Sequence, residues 1–447
     1  MTASASQKPY RLIALGRLPA ATRDAMGDTL GSFSAMALEP GSWRATARGY
    51  SGVLVTLGDR GFNVPEDGRF SDFATRVHRI AFDLKGAKLA LSPRATSYVR
   101  DEKGGLTTGL DPGLGTAKQF GALLPSPEKG AAAGRLSIDS EGLALCADKR
   151  FFISDEFAAN IYACAPDGRM TGVITPPDAF VPSRKGTVCF SSREAKVDRG
   201  RAPNDGFEGL SLSPDGKTLY ALLQAPLVQD RKGKPASHRF TRLLAYDVSG
   251  RHIPQRPKAH YVVELPLFKE TQGGAAEIVE SNEIVALGGG KFLVLVRESF
   301  GFGAKARHKK RSIAFKQVMV GSLDGATNIA GMKYERKARS VLDGGALDKG
   351  LVPMRLRPFL NIADEVELNR VGLTTRSRSW RYQQLSAKWE SLVLSPPLDA
   401  KRPRERLLFV GNDNDFRTRK GFMPDGSYDG GFEHDNLVLV YRVTLPA

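Results

Sequence analysis

Four glutamates recur at one place in a repeated pattern: Glu141 in SEGLAL (140–145), Glu208 in FEGLSL (207–212), Glu283 in NEIVAL (282–287) and Glu390 in WESLVL (389–394). FSAMAL (33–38) is a degenerate fifth copy with Ser34 in the glutamate position. Each copy is followed by a second apolar run ending in polar residues: VTLGDRG, FFISDEF, LYALLQ, FLVLVRES and LFVGNDND. Those endings bring Asp59, Asp155, Glu156, Asp413 and Asp415 to the same level, and Asn204 and Asp205 stand just before Glu208. Carboxylates held a few ångströms apart repel one another, so a cation must sit among them or some must keep their protons. An all-oxygen, multi-carboxylate set selects a hard cation, and calcium takes six to eight such ligands. Glu141, Glu156, Asp205, Glu208, Glu283, Glu390 and Asp413 are the expected metal ligands. Arg60 in GDRG and Arg297 in VRES would face the same mouth, where a guanidinium fork matches phosphate oxygens. A phosphoryl group polarised by the cation would be open to hydrolysis, which makes Asp59, Arg60, Asp155 and Arg297 the candidate catalytic residues. Taken singly, each glutamate could instead be a solvated edge residue or a partner for a neighbouring strand's backbone. Its recurrence in one place argues for convergence.

Other chemistries lack their motifs. No G-x-S-x-G elbow supports a serine esterase, and the six histidines show no paired metal-ligand spacing. Glycines 288–290 lack the following helix of a phosphate loop and read as a hairpin turn. Cys146, Cys164 and Cys189 allow one disulfide at most and no C-x-x-C zinc site. The net charge of +17 favours anionic partners, but the basic residues are scattered. The densest run, KARHKKR (305–311), reads as a solvated loop, so no sequence-specific nucleic-acid binding is expected. No stretch approaches a membrane span, and no signal-peptide core is visible in the first thirty residues.

The elements that must position these residues are short strands. Runs of about five apolar or alternating residues, bounded by Pro-Asp-Gly and Leu-Asp-Gly turns at Asp167, Asp215, Asp324 and Asp425, fill the chain. The repeated unit resembles a propeller blade, four antiparallel strands radiating from a central channel. The expected fold is therefore all-β, one β-propeller spanning residues 1–447, with six blades as the best total and five to seven allowed. The glutamates are spaced by 67, 75 and 107 positions, more than the roughly 40 to 50 residues of a minimal blade, so insertions are expected near 85–135 and 325–385. The pattern over 359–371 predicts a helix outside the blades. YRLIAL near the N-terminus is expected to close the ring beside LVLVYRV near the C-terminus, removing exposed sheet edges.

At GDRGFN (58–63), DSEGLAL (139–145), FISDEF (152–157), NDGFEGLSLSPDGKTLYALLQAPLVQD (204–230), EIVALGGGKFLVLVRES, KWESLVL and LFVGNDNDF, the sequence resembles the phytase-like family, whose members are described by an esterase-like activity of phytase. The resemblance implies a propeller related through its fold to calcium-dependent phytases and phosphatases. It matches Glu141, Asp155, Glu156, Glu208 and Glu390 to the family's acidic positions, and departs at Ser391, where glycine is usual, at Ile284, and at the NDND run around Asp413. It also implies export to the periplasm or the extracellular space. Two functions follow as expectations: a calcium-dependent phosphoric-ester hydrolase acting as a monomer on a small anionic substrate, or a non-catalytic propeller whose structural cation supports a binding module.

Overall fold

A computed structural model describes residues 8–64, 67–193, 197–233, 237–271, 273–305, 311–376 and 383–446. Alternation of apolar and polar residues, with turns at short intervals, folds these into five antiparallel units of four strands each. The first blade is Ala35–Leu38, Gly49–Leu57, Arg76–Lys85 and Lys88–Tyr98. The second is Ser140–Leu145, Phe151–Asp155, Ile161–Cys164 and Met170–Ile174. Phe207–Leu212, Thr218–Leu223, Phe240–Asp247 and Ala259–Glu264 make the third. Glu280–Gly288, Lys291–Arg297, Lys316–Ser322 and Met354–Asn361 make the fourth. The fifth takes Trp389–Leu394, Glu405–Asn412 and Asn436–Thr444 from the C-terminal part and Tyr10–Leu18 from the N-terminal part.

The innermost strands touch in cyclic order, with the first blade's strand beside those of both the second and the fifth. Five apolar clusters sit between neighbouring blades. Examples are Val55, Leu57, Leu143 and Ile153 between the first and second, and Leu293, Leu295, Trp389 and Leu408 between the fourth and fifth. The described strands thus form a β-propeller of five four-stranded blades, within the expected range of five to seven and one fewer than the expected best total of six. The long intervals hold insertions instead of a sixth blade. Residues 99–139 carry only the small hairpin Thr116–Gln119 with Ala122–Pro125. Residues 323–353 carry the pair Leu342–Asp343 and Ala346–Leu347. Lys88–Tyr98 and Met354–Asn361 are outer blade strands, so the first insertion starts later than residue 85 and the second is divided, with residues 362–376 and 383–388 also outside the blade strands.

The helix expected over 359–371 is mostly something else. Its first residues belong to the strand Met354–Asn361, which pairs with Lys316–Ser322. Only Glu365–Leu368 is α-helical, capped by Asp364, whose side chain accepts a bond from Val366 N, and it runs into a 3-10 turn at Asn369–Val371. Strand pairing outcompeted the helical spacing of the same apolar residues. Ring closure follows the expectation: Tyr10–Leu18 pairs antiparallel with Asn436–Thr444. All three cysteines are free thiols. Among the described residues no helix is long and apolar enough to cross a membrane.

Candidate functional site at the channel mouth

In each blade the innermost strand begins, and its antiparallel neighbour ends, at the same end of the channel. In the second to fifth blades a β-bulge there decides which side chain turns inward, since the extra residue is re-aimed away from the ladder, whereas the first blade's inner pair runs without one. In the third blade Phe207 pairs with Leu223 and Gly209 with Leu222, leaving Glu208 as the extra residue. In the fifth, Trp389 pairs with Asn412 and Ser391 with Gly411, leaving Glu390. The second blade shifts register between Ser140 and Leu143, around Glu141. In the fourth blade Ser281 pairs with Val296 and Glu283 with Leu295, so the extra residue is Asn282.

The fourth glutamate is therefore not part of the ring. Glu283 Oε1 accepts the backbone N–H of Leu210 at 3.0 Å and of Ile284 at 2.8 Å, and its side chain does not line the mouth. It is the partner of a neighbouring blade's backbone, the alternative reading of such a residue. Burial raises its carboxyl well above the usual range, against the pull of those two backbone bonds. Asn282 takes the inward position. In the amide orientation its neighbours require, its oxygen accepts from Arg297 Nη2 at 3.2 Å.

The mouth opens into a cavity of about 420 Å³ whose wall includes Glu141, Glu208 and Glu390 together with Arg60, Arg297 and Lys388. Beside the cavity, buried carboxylates form two adjoining clusters that share Asp59, of which Glu141 and Asp415 reach the wall. Oxygens of Asp59, Asp139 and Glu141 lie within 4.8 Å of one another, and so do oxygens of Asp59, Asp413 and Asp415. In the first cluster Arg60 Nη1 lies 2.8 Å from Asp139 Oδ2 without the alignment of a hydrogen bond, and neither oxygen of Asp139 accepts one. Burial, then the charge of Asp139, raises the Asp59 carboxyl to about 7. Burial, then the charges of Glu208 and Asp139, raises Glu141 well above its ordinary range. Glu208 is raised likewise by burial and by Glu390, and its Oε2 has no hydrogen-bond partner while Gln224 donates to Oε1.

The second cluster has a cation of its own. Lys388 Nζ lies 2.5 Å from Asp413 Oδ2, 2.7 Å from Asp415 Oδ1 and 3.8 Å from Glu390 Oε1. Burial disfavours the charged lysine, yet Asp413 and Asp415 hold its ammonium well above the usual range. Burial also opposes ionisation of Asp415, but Lys388 outweighs it and holds that carboxyl below its usual range. Arg297 pairs with Glu390 and donates to Ser299 Oγ at 2.8 Å.

The remaining expected residues divide. Asp155 is sealed away from the cavity. Its Oδ1 accepts the N–H groups of Asp139 and Phe157, each at 3.1 Å, and its Oδ2 accepts from Ala158 N at 3.2 Å and Tyr162 Oη at 3.3 Å. It positions Asp139 and does not face the mouth. Glu156 is buried behind the wall and accepts from Asn204 Nδ2 at 3.2 Å. Asp205 lies on the wall, paired with Arg231 at 2.5 Å. Arg60 donates to Ser192 Oγ at 2.6 Å and to Asn204 Oδ1; Asn204 sits in the left-handed region at φ 56°. From the basic run, Arg311 is fixed at the rim by Glu270 and Glu277, stacked over Phe300 at 4.0 Å, whereas 306–310, with His308, lie outside the described residues.

Asp139 and Lys388 were not among the expected site residues, although a signal for them exists. Each stands two positions before an inward glutamate, and side chains two apart on a strand share a face. The same position is Glu280 in the fourth blade, another wall residue, and Gly206 in the third, where a Cβ would strike the Glu156 backbone at 2.3 Å.

Comparison with known proteins adds the family. A protein of Arthroderma benhamiae described as an uncharacterized secreted protein is 31% identical over 462 aligned residues, covering 92% of this chain and 87% of that protein. An α-L-arabinofuranosidase from Podospora anserina, in complex with cellotriose, is 8% identical with a TM-score of 0.34, over 98% of this chain and 99% of that one. The periplasmic gluconolactonase of Pseudomonas aeruginosa is 11% identical with a TM-score of 0.32, over 96% and 99%. Those structural likenesses are loose, and the fold stands on its own strand pairing. Residues 31–416 match the phytase-like family described as having an esterase-like activity of phytase, a span that holds every acidic residue of the two clusters, and the chain belongs to that family.

Proposed function

We propose that the chain is a secreted, calcium-dependent hydrolase of small phosphoric esters. The observation that carries this reading is Asp139, a buried carboxylate with no hydrogen bond, between Asp59 and Glu141 and beside Arg60. The Arg60 guanidinium offsets one of the three negative charges but leaves both Asp139 oxygens without a hydrogen bond, so a further cation would complete the corner, and three carboxylates with no nitrogen or sulfur donor suit a hard ion. Asp59, Asp139 and Glu141 would hold it. Bound there, calcium would offset the corner's charge and polarise a phosphoryl oxygen. Arg60 and Arg297 would orient the anionic oxygens of the ester by paired N–H donors. Glu208, whose Oε2 is unpartnered and whose protonated form burial favours, would give a proton to the leaving alcohol oxygen of the ester. A cavity of about 420 Å³ suits a small ligand, and a net charge of +17 draws anions toward the molecule. Export is supported by the secreted relative and by the family resemblance.

The test is a panel of phosphate monoesters and diesters assayed with chelator-stripped protein, with and without calcium. Turnover should appear only with calcium, magnesium should substitute poorly because it demands tighter octahedral geometry, and Asp139→Asn should lower turnover by roughly a hundredfold or more, in line with loss of a key electrostatic group. Glu433→Gln, in a loop where Glu433 accepts from Thr418 and Arg419, should change little. Calcium binding without turnover of any ester would leave the second reading, a propeller with a structural cation, which the mouth's own counter-ions Lys388 and Arg297 favour.

A further inference from the structure

Asp59 belongs to two carboxylate clusters at once, so the mouth has the outline of two adjacent cation positions bridged by one side chain. They differ in what fills them. Around Asp139 the Arg60 guanidinium lies 2.8 Å from one oxygen yet leaves both oxygens without a hydrogen bond, whereas the Lys388 ammonium reaches both Asp413 and Asp415. The geometry points to Lys388 as a built-in cation that occupies the second position, so the mouth takes one divalent ion fewer than its carboxylates allow. The inference rests on the cation reading above only for what fills the first position.

Three observations support it. The ammonium lies 2.5 and 2.7 Å from Asp413 and Asp415, about the distance at which calcium itself binds oxygen, so the two ions cannot share those ligands. The carboxylates are shaped to hold it: Asp413 Oδ1 accepts the N–H of Asp415 at 2.6 Å, and Asp415 and Phe416 both adopt left-handed conformations, φ 51° and 53°. Two consecutive non-glycine residues in that region persist only where the surroundings over-determine them. Finally, the lysine is tethered two residues before Glu390 on the innermost strand, so it competes with a free ion as an intramolecular ligand, at high effective concentration. Asp413, expected from sequence to bind metal, then serves the lysine.

The experiment counts calcium ions bound by the chelator-stripped full-length chain, using isothermal titration calorimetry and equilibrium dialysis. Lys388→Met should bind one calcium more than wild type, Lys388→Arg the same number as wild type, and the double variant Lys388→Met with Asp413→Asn should lose the added ion. Asp413→Asn alone should leave the wild-type count unchanged. Equal counts in wild type and Lys388→Met, or an ion lost in Asp413→Asn alone, would overturn the inference. Should Lys388→Met fail to fold by circular dichroism, Lys388→Gln, which keeps a long polar side chain, takes its place with the same expected gain. If wild type binds no calcium while the lysine variant binds one, the cation reading of Asp59, Asp139 and Glu141 fails and the role of Lys388 stands.

Discussion

Burying an ionised carboxylate costs several kcal/mol unless something compensates, and the mouth residues meet that cost in different ways. Glu283 takes two backbone N–H groups, Asp413 takes the Lys388 ammonium, and Asp59 and Glu141 stand against other carboxylates. The glutamate repeat in the sequence treats Glu141, Glu208, Glu283 and Glu390 alike, because residue type records neither a bulge nor a hydrogen-bond partner. A clue was present at Ile284, where glycine is the pattern: sliding the fourth copy by one residue puts Asn282 on the glutamate position and Glu283 on the glycine position. The titrating acids also have a consequence for stability. Asp59 and Asp155 are raised to about 7, so from about pH 4 to 7 the folded chain keeps protons that the unfolded chain releases. Their contribution is fully present below about pH 4 and is lost as pH rises toward 7, at most about 1.4 kcal/mol per pH unit for each group. In chelator, the melting temperature should fall over that window, and saturating calcium should flatten the fall, since a bound cation removes the repulsion at Asp59. Scanning calorimetry across pH checks this, and parallel curves with and without calcium would count against a cation at Asp59.

At the scale of elements, the strand-turn-strand units were legible because alternation and Asp-Gly turns are local signals, as in the Asp215 turn between the two inner strands of the third blade. The false helix over 359–371 arose where tertiary pairing with Lys316–Ser322 overrode a local pattern. What the alternation cannot convey is how closely the innermost strands approach. A Cβ at Gly142 would lie 2.4 Å from the Glu208 carbonyl oxygen and 2.4 Å from Ser154 Oγ, so this glycine sets the contact between second and third blades beside two wall glutamates. The fifth blade has Ser391 there instead, and its hydroxyl donates to the Phe33 carbonyl at 2.8 Å, which accounts for the departure from glycine. Gly142→Ala should therefore destabilise the fold by about 1–3 kcal/mol, the usual range for overpacking, and weaken calcium binding by displacing the adjacent Glu141, one of the three proposed ligands. Denaturant unfolding and calcium titration of the variant test this together. Wild-type stability would mean that the inner strands give way easily.

At the scale of the molecule, everything at the mouth depends on the ring staying shut, and its closure joins the two ends of the chain. Tyr10–Leu18 supplies the outer strand of the fifth blade, paired with Asn436–Thr444, with Leu12, Ala14 and Leu18 buried. It also runs parallel to Lys88–Tyr98 for two residues, tying the fifth blade to the first. The short helix seals its far end: Leu12 N donates to Glu367 Oε2 at 2.8 Å and Tyr10 Oη to Asp364 Oδ2 at 3.0 Å. An unpaired sheet edge is a template for aggregation, and here one strand and one helical turn cover it. The two leucines alone contribute about 3–6 kcal/mol by burial, a large share of the roughly 5–15 kcal/mol that holds a typical domain. Removing residues 1–18 should lower the melting temperature by more than about 10 °C, since each kcal/mol shifts a large domain by about 2–4 °C, and should promote aggregation through Asn436–Thr444. A synthetic peptide of residues 8–18 added in trans should restore both by strand addition, and with them calcium binding at the mouth, because Asp413 and Asp415, just past the fifth blade's strand Glu405–Asn412, cluster with Asp59, one of the three proposed ligands. A truncated chain that melts like the full one would show that the ring is held by its inner strands and does not need this closure.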